Sequence, residues 1–215
     1  MAIASQIERW QFSRKTAEAL DAALKLYRRV MAAGENAYPE AVLDNAVACL
    51  IFGEALSNAG VANQALPILQ DAQQRFERIG QEPRAKRLAV KTLIVQGDSF
   101  RELGRWDEAA ITYEESIRRS EKLGDRHAIA IAKSEFGSVY VFQQRYSEAQ
   151  LAYGEAMEIL HALGDRYNLA GIWYLIGRVY AETGRYEEAE HAFLAALAIK
   201  GQLADEGGVA YGMGA

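Results

Sequence analysis

Three histidines, one cysteine and two pairs of adjacent glutamates are the side chains in this 215-residue sequence with types and positions that could do chemistry. His127, His161 and His191 are not spaced as ligands on one helix face, so no metal site is expected. Cys49 is the single cysteine and stands in an apolar run, which reads as a buried helix position rather than a reactive thiol. Glu187-Glu188 suits the positive end of a helix dipole, and Glu114-Glu115 stands one helical turn before Arg118-Arg119, so both pairs have sufficient structural roles. The glycines near the end follow no strand and precede no lysine, which excludes a phosphate loop, and no serine has the strand-to-helix setting of a nucleophile elbow. The chain is expected to be no enzyme and to need no cofactor.

The remaining chemistry is recognition, and its elements are written in a repeat. Gly97, Gly137 and Gly177 stand 40 residues apart. With them recur Phe100/Tyr140/Tyr180, Arg105/Arg145/Arg185, Glu108/Glu148/Glu188, Ala109/Ala149/Ala189, Tyr113/Tyr153/Phe193 and Asp125/Asp165/Asp205. A period of this size marks a stacked array in which each unit is one supersecondary element that cannot bury its apolar face alone.

Each period reads as two helices. Ala130, Phe136, Gly137, Tyr140 and Val141 share one helical face, and Ala149, Tyr153, Ala156, Met157 and Leu160 share the next. The short link at Gln143-Gln144-Arg145 forces the helices antiparallel, and Gly104 and Gly184 occupy the Gln144 position in neighbouring units, where a left-handed residue closes a helix. Gly124-Asp125 and Gly164-Asp165 place a stop directly before an N-capping carboxylate. Gly137, Gly177, Ala149 and Ala189 mark close approach of helix axes, with Tyr140, Tyr180, Tyr153 and Phe193 filling the space beside them.

Trp173, Gly177, Tyr180, Ala189, Phe193 and Ala196 fall at the spacings of the tetratricopeptide signature, and the chain resembles a tetratricopeptide repeat (TPR) protein of the long-helix variety. Its Leu-Gly-Asp-Arg junctions at 123–126 and 163–166 resemble those of kinesin light chains and of the sensor regions of bacterial signalling ATPases and MalT-like regulators. The resemblance implies an all-α, right-handed superhelical solenoid of antiparallel helix pairs that binds a protein or peptide on its concave face, through first-helix positions at −6, −3, +1, +4 and +5 from the signature glycine. In this sequence those positions give Glu54, Ser57, Asn58, Lys91, Asp98, Arg101, Glu102, Ser134, Ser138, Phe142, Tyr174, Arg178 and Glu182. The strongest set is Asp98, Arg101, Ser138, Phe142, Tyr174, Arg178 and Glu182, because binding surfaces collect aromatics and arginine. The lysine–asparagine clamp of chaperone-binding relatives is missing, since the matching positions hold Leu50/Glu54 and Ile94/Asp98.

In order, residues 1–34 are expected to form a leading helix with Ile7, Trp10, Ala17, Leu20, Leu24, Tyr27 and Val30 on its packed face. Four hairpins follow at about 39–80, 83–124, 127–164 and 167–203, within an array spanning 35–203. Pro39 is placed to open the first, Pro67 is awkward in its second helix, and four extra residues around 80–84 predict a longer loop or an extra helical turn. Residues 204–215 read as the frayed start of a further helix, which leaves the array's end to be covered by more repeats, a homodimer or a partner's helix. The net charge of −5 argues against a nucleic-acid partner. The start lacks a secretory signal and no run of 18 apolar residues occurs, so a cytoplasmic protein with no membrane association is expected. The alternative functional reading is a sensor or regulatory segment of a signalling ATPase or transcription regulator; an enzyme acting on a small molecule is the weakest.

Overall fold

Alanine-rich amphipathic stretches separated by glycine stops fold into helices throughout. The computed structural model describes the backbone of residues 2–38 and 40–212 and the side chains of residues 15–38 and 40–204. The helices are α1 (Ala2–Ala33), α2 (Ala41–Asn58), α3 (Ala62–Ile79), α4 (Pro83–Glu102), α5 (Trp106–Leu123), α6 (Arg126–Phe142), α7 (Tyr146–Leu163), α8 (Arg166–Glu182) and α9 (Tyr186–Gly212). They form two compact units, residues 1–116 and 117–215, with α5 running across the division. The class is all-α, built from paired helices; α2, α4, α6 and α8 are the first helices of their pairs.

The glycine of each first helix lies against a ring or branched side chain of its own second helix. A Cβ at Gly97 would stand 2.4 Å from Tyr113 Cε1, at Gly137 2.7 Å from Tyr153 Cε1, at Gly177 2.7 Å from Phe193 Cδ1, and at Gly53 2.6 Å from Leu69 Cγ. No real Cβ tolerates such contacts, so the bare backbone is the surface on which the second helix packs. Ala109, Ala149 and Ala189, all buried, keep the second helix equally close.

The turn between paired helices is one motif used four times. Gly60, Gly104 and Gly184 have φ of 74°, 70° and 75°, and Gln144, in the same place, is forced to 59°. The next amide reaches back five residues: Arg145 N–H donates to Tyr140 O at 2.9 Å, and Arg105 and Arg185 do the same to Phe100 and Tyr180. That is a Schellman closure. It also sets each guanidinium over the ring whose carbonyl its amide holds, at 4.6, 4.5 and 4.4 Å from Phe100, Tyr140 and Tyr180. Glu108, Glu148 and Glu188 pair with these arginines from three residues on. The recurring arginine and glutamate therefore form a clasp at the turn, a role the repeat pattern displays without explaining. Between pairs, Asp125 and Asp165 cap α6 and α8, each accepting at 3.0 Å from the amide three residues on.

In the first unit Leu50, Leu69, Ala72 and Phe76 form the core, with Leu20, Tyr27 and Met31 of α1 packed against it and Tyr27 stacked on Phe52 at 4.9 Å. Ala17 is exposed rather than packed, Ala23 being the buried alanine among the described side chains of α1, and the side chains of Ile7 and Trp10 lie outside the described residues. Cys49 is fully buried, its thiol 3.3 Å from Asp71 Oδ2, and burial foremost pushes its pKa up to about 12. The same carboxylate binds Arg75 Nε at 2.8 Å, and Arg75 also pairs with Glu35, tying the α1–α2 loop to α3. By length and a mean hydropathy of 1.2, α2 would suit a membrane span, yet half of it is buried inside its unit. In the second unit the core is Ala149, Tyr153, Ala156, Leu160, Ile172 and Val179.

Of four places singled out in the sequence, one lies outside the described residues and one, the far end, differs from the expectation. Pro39 lies outside the described residues, and α2 is described from Ala41. Pro67 sits inside α3, which runs on to Ile79. The four inserted residues divide: α4 has 20 residues where α6 and α8 have 17, opening with Pro83 behind a Glu82 cap, and the fourth lengthens the turn. At the far end no helix begins at Asp205, because α9 continues to Gly212. The physical reason is that Ala204 replaces the glycine of positions 124 and 164, which adopt φ of 65° and 68° to stop α5 and α7.

Two measurements check this packing. Gly137→Ala should lower stability by ~1–3 kcal/mol through overpacking on Tyr153, whereas Gly154→Ala, which meets open space in the same hairpin, should raise it by ~0.5–1 kcal/mol. Gln144→Gly should add about 1 kcal/mol by relieving the left-handed strain; an unchanged midpoint in denaturant would contradict that account.

Candidate functional site

In two pairs the residue after the signature glycine meets the hydroxyl of the ring that the glycine admits. Tyr113 Oη donates to Asp98 Oδ1 at 2.6 Å. In the next pair Ser138 Oγ and Tyr153 Oη are 3.2 Å apart, and Ser138 also donates to Ser134 O at 3.3 Å. In the last pair the ring is Phe193, which has no hydroxyl, and the position is Arg178, which is exposed. Asp98 and Ser138, two of the residues expected to contact a partner, are thus held in the packing: Ser138 is 9% exposed, and burial foremost raises the Asp98 carboxyl above its usual range, opposed by Tyr113 and Arg101.

On the first unit the α2–α4 face is largely closed by its own pairs. Lys91 Nζ meets Glu54 Oε2 at 2.7 Å, Ser99 Oγ donates to Ser57 Oγ at 3.1 Å, and Arg101 Nη2 stands 3.5 Å from Asp98 Oδ1. Glu102 is raised as well, by burial first and by Asp98, against the lowering effect of Arg101. Asn58 is exposed at the end of α2.

The α6–α8 face of the second unit differs. Phe142 is 58% and Tyr174 50% exposed, while Arg178 and Glu182 are exposed on the same stripe of α8 as Tyr174. The Tyr174 ring is fixed from below by Phe193, with centroids 5.5 Å apart, so it is presented rather than loose. Tyr167, 76% exposed one turn before Gly171, extends the stripe and is absent from the expected set. At the helix starts His127 Nε2 contacts Asp165 Oδ2 at 2.9 Å, and Asn168 Nδ2 donates to the same oxygen at 2.7 Å. Burial would raise the Asp165 carboxyl, but these hydrogen bonds outweigh it and hold it below the usual range.

Between α6, α7 and α8 a cleft of about 140 Å³ is lined mainly by Ile131, Ser134, Leu160, Gly171, Ile172 and Leu175. The sequence expectation names Ser134 alone among them. A signal was present, since Gly171 breaks a column that holds Lys91 and Ile131 in the preceding first helices. Among the described residues no three His, Cys, Asp or Glu side chains stand together as metal ligands.

Residues 88–162 and again 129–202 match the model of the Tetratricopeptide repeat. BtubC (BKLC) from P. vanneervenii superposes with a TM-score of 0.69 at 19% identity, over 87% of this chain and 74% of that one. The apo form of RapI gives 0.73 at 16% identity, over 92% and 72%. A Podosopora anserina protein of kinesin-light-chain type, with nearly identical TPR-like repeats, gives 0.62 at 14%, over 94% and 96%. A search of curated proteins gives no match. At these identities the likenesses establish the fold.

The ring contacts make a graded prediction. Tyr113→Phe removes a short hydrogen bond to a partly buried carboxylate and should cost ~1.5–3 kcal/mol, whereas Tyr153→Phe removes a hydroxyl–hydroxyl contact and should cost ~0.5–1.5 kcal/mol. Equal losses in urea titrations of the two variants would refute the assignment.

Proposed function

The chain belongs to the tetratricopeptide repeat family, and we propose that it is a non-catalytic scaffold that binds a protein or peptide on the faces of its first helices. One observation carries this reading: the exposed stripe of Tyr174, Arg178 and Glu182 on α8, with Phe142 exposed on α6 of the same unit. Exposed aromatics and arginine on a rigid helix face are the groups that hold partners, because they desolvate large area at small entropic cost. The corresponding residues of the first unit are engaged with one another, so the second unit is the principal binding face in this proposal. Asp98, Arg101 and Ser138 then act from behind, by fixing the rings and helices.

The reading takes the protein to be cytoplasmic, with a protein rather than nucleic acid or membrane as partner, in keeping with its charge of −5. Self-association would use α9, where Leu194 and Leu197 are exposed. The Gly-Asp-Arg junctions at 124–126 and 164–166 favour a regulatory version as the second reading, with the array serving as the sensor segment of a signalling ATPase or transcription regulator.

Affinity capture from a native lysate should recover partners with the wild-type chain and lose them at least about tenfold with the Tyr174→Ala/Arg178→Ala double variant, at unchanged helical circular dichroism. Identical recovery by both proteins would sink the proposal.

A further inference from the structure

Resting on that peptide-binding reading, we propose that the cleft between α6 and α8 is an anchor pocket for one apolar side chain of an extended partner segment. Arg178 receives an isolated acidic side chain three residues from that anchor.

The cleft has the size and lining for this. Its volume of about 140 Å³ is close to the roughly 150 Å³ of an engineered apolar cavity that stays dry and admits benzene. Leu160 is fully buried at its base and Ile172 nearly so, with Ile131 and Leu175 beside them. Ser134, Glu135 and Asn168 complete the lining of this open cleft, so its Ile and Leu side is where an apolar group would seat.

Gly171 keeps the cleft open. Glycine within a helix weakens it, and nothing in the packing calls for one here, because a Cβ at Gly171 would meet no atom within 4 Å. Every other first-helix glycine at a fixed column abuts a side chain of the second helix, as at 53, 97, 137 and 177. Among the first-helix glycines Gly171 alone faces open space, in a column that holds Lys91 and Ile131 elsewhere. Its effect is to leave room for a side chain from outside.

Charge places the second contact. Arg178 is exposed and makes no ion pair among the described residues. It lies seven residues beyond Gly171, about 10.5 Å along the helix axis. Three residues of extended chain cover about 10 Å. Glu135 on the cleft wall disfavours an acid next to the anchor, and Glu182, one turn past Arg178, disfavours an acidic run. Tyr174 stands between the two contacts, where it can lie beneath the intervening residues.

The test is selection of a phage-displayed library of random 12-residue peptides on the immobilised full chain, on Gly171→Leu and on Arg178→Glu. The wild type should enrich an apolar residue with an isolated Asp or Glu three positions away, on one fixed side, by at least about tenfold over the unselected library. Arg178→Glu should change that acid to Lys or Arg. Gly171→Leu should lose the apolar preference while its thermal midpoint stays equal or rises, which excludes misfolding as the cause. Enrichment of peptides without this pairing, or the same peptides on all three proteins, overturns the anchor assignment and leaves the peptide-binding reading standing. No enrichment on any of the three overturns both.

Discussion

Contact between a bare stretch of helix backbone and a side chain of the following helix is what the rest of this protein depends on. At 97, 137 and 177 the absence of a Cβ lets an aromatic ring lie on the first helix, and at 53 a leucine takes the same place. The buried alanines of the second helices repeat the device from the other side. Small residues facing large ones set the approach of each pair, and close packing then leaves little freedom for neighbouring positions.

That contact decides which residues of the neighbouring column are held in the packing. A tyrosine ring brings a hydroxyl into the packed layer, and a hydroxyl there needs hydrogen-bonding company. Asp98 and Ser138 supply it for Tyr113 and Tyr153. Phe193 makes no such demand, so Arg178 at the same position is released to the surface. One atom's difference in the ring thus separates a position held in the packing from one left at the surface.

The turns show the same economy of means under local strain. The reach of Arg105, Arg145 and Arg185 back to the carbonyl beneath their own stacked ring joins helix closure to a cation–π contact in a single residue. The closure is demanding enough that Gln144 adopts the left-handed conformation its glycine counterparts take freely. Where the glycine stop is missing altogether, at Ala204, α9 runs on.

Spacing alone determined the helices, their pairing and the glycine–ring columns, because a period of 40 residues with antiparallel links admits few ways to bury one apolar face per helix. The exposure of Phe142 and Tyr174 was legible for the same reason. The division within the candidate set was not: Asp98, Ser138 and Arg178 share one column, and only the position of Tyr113 and Tyr153 Oη against them, with Phe193 lacking one, shows which are occupied. The linear pattern marks Gly171 as a break in its column but not the cleft beside it, which is bounded by residues from three helices and exists only once α6, α7 and α8 are packed together. Local sequence sets where a chain turns; what space remains between its elements is a property of their assembly.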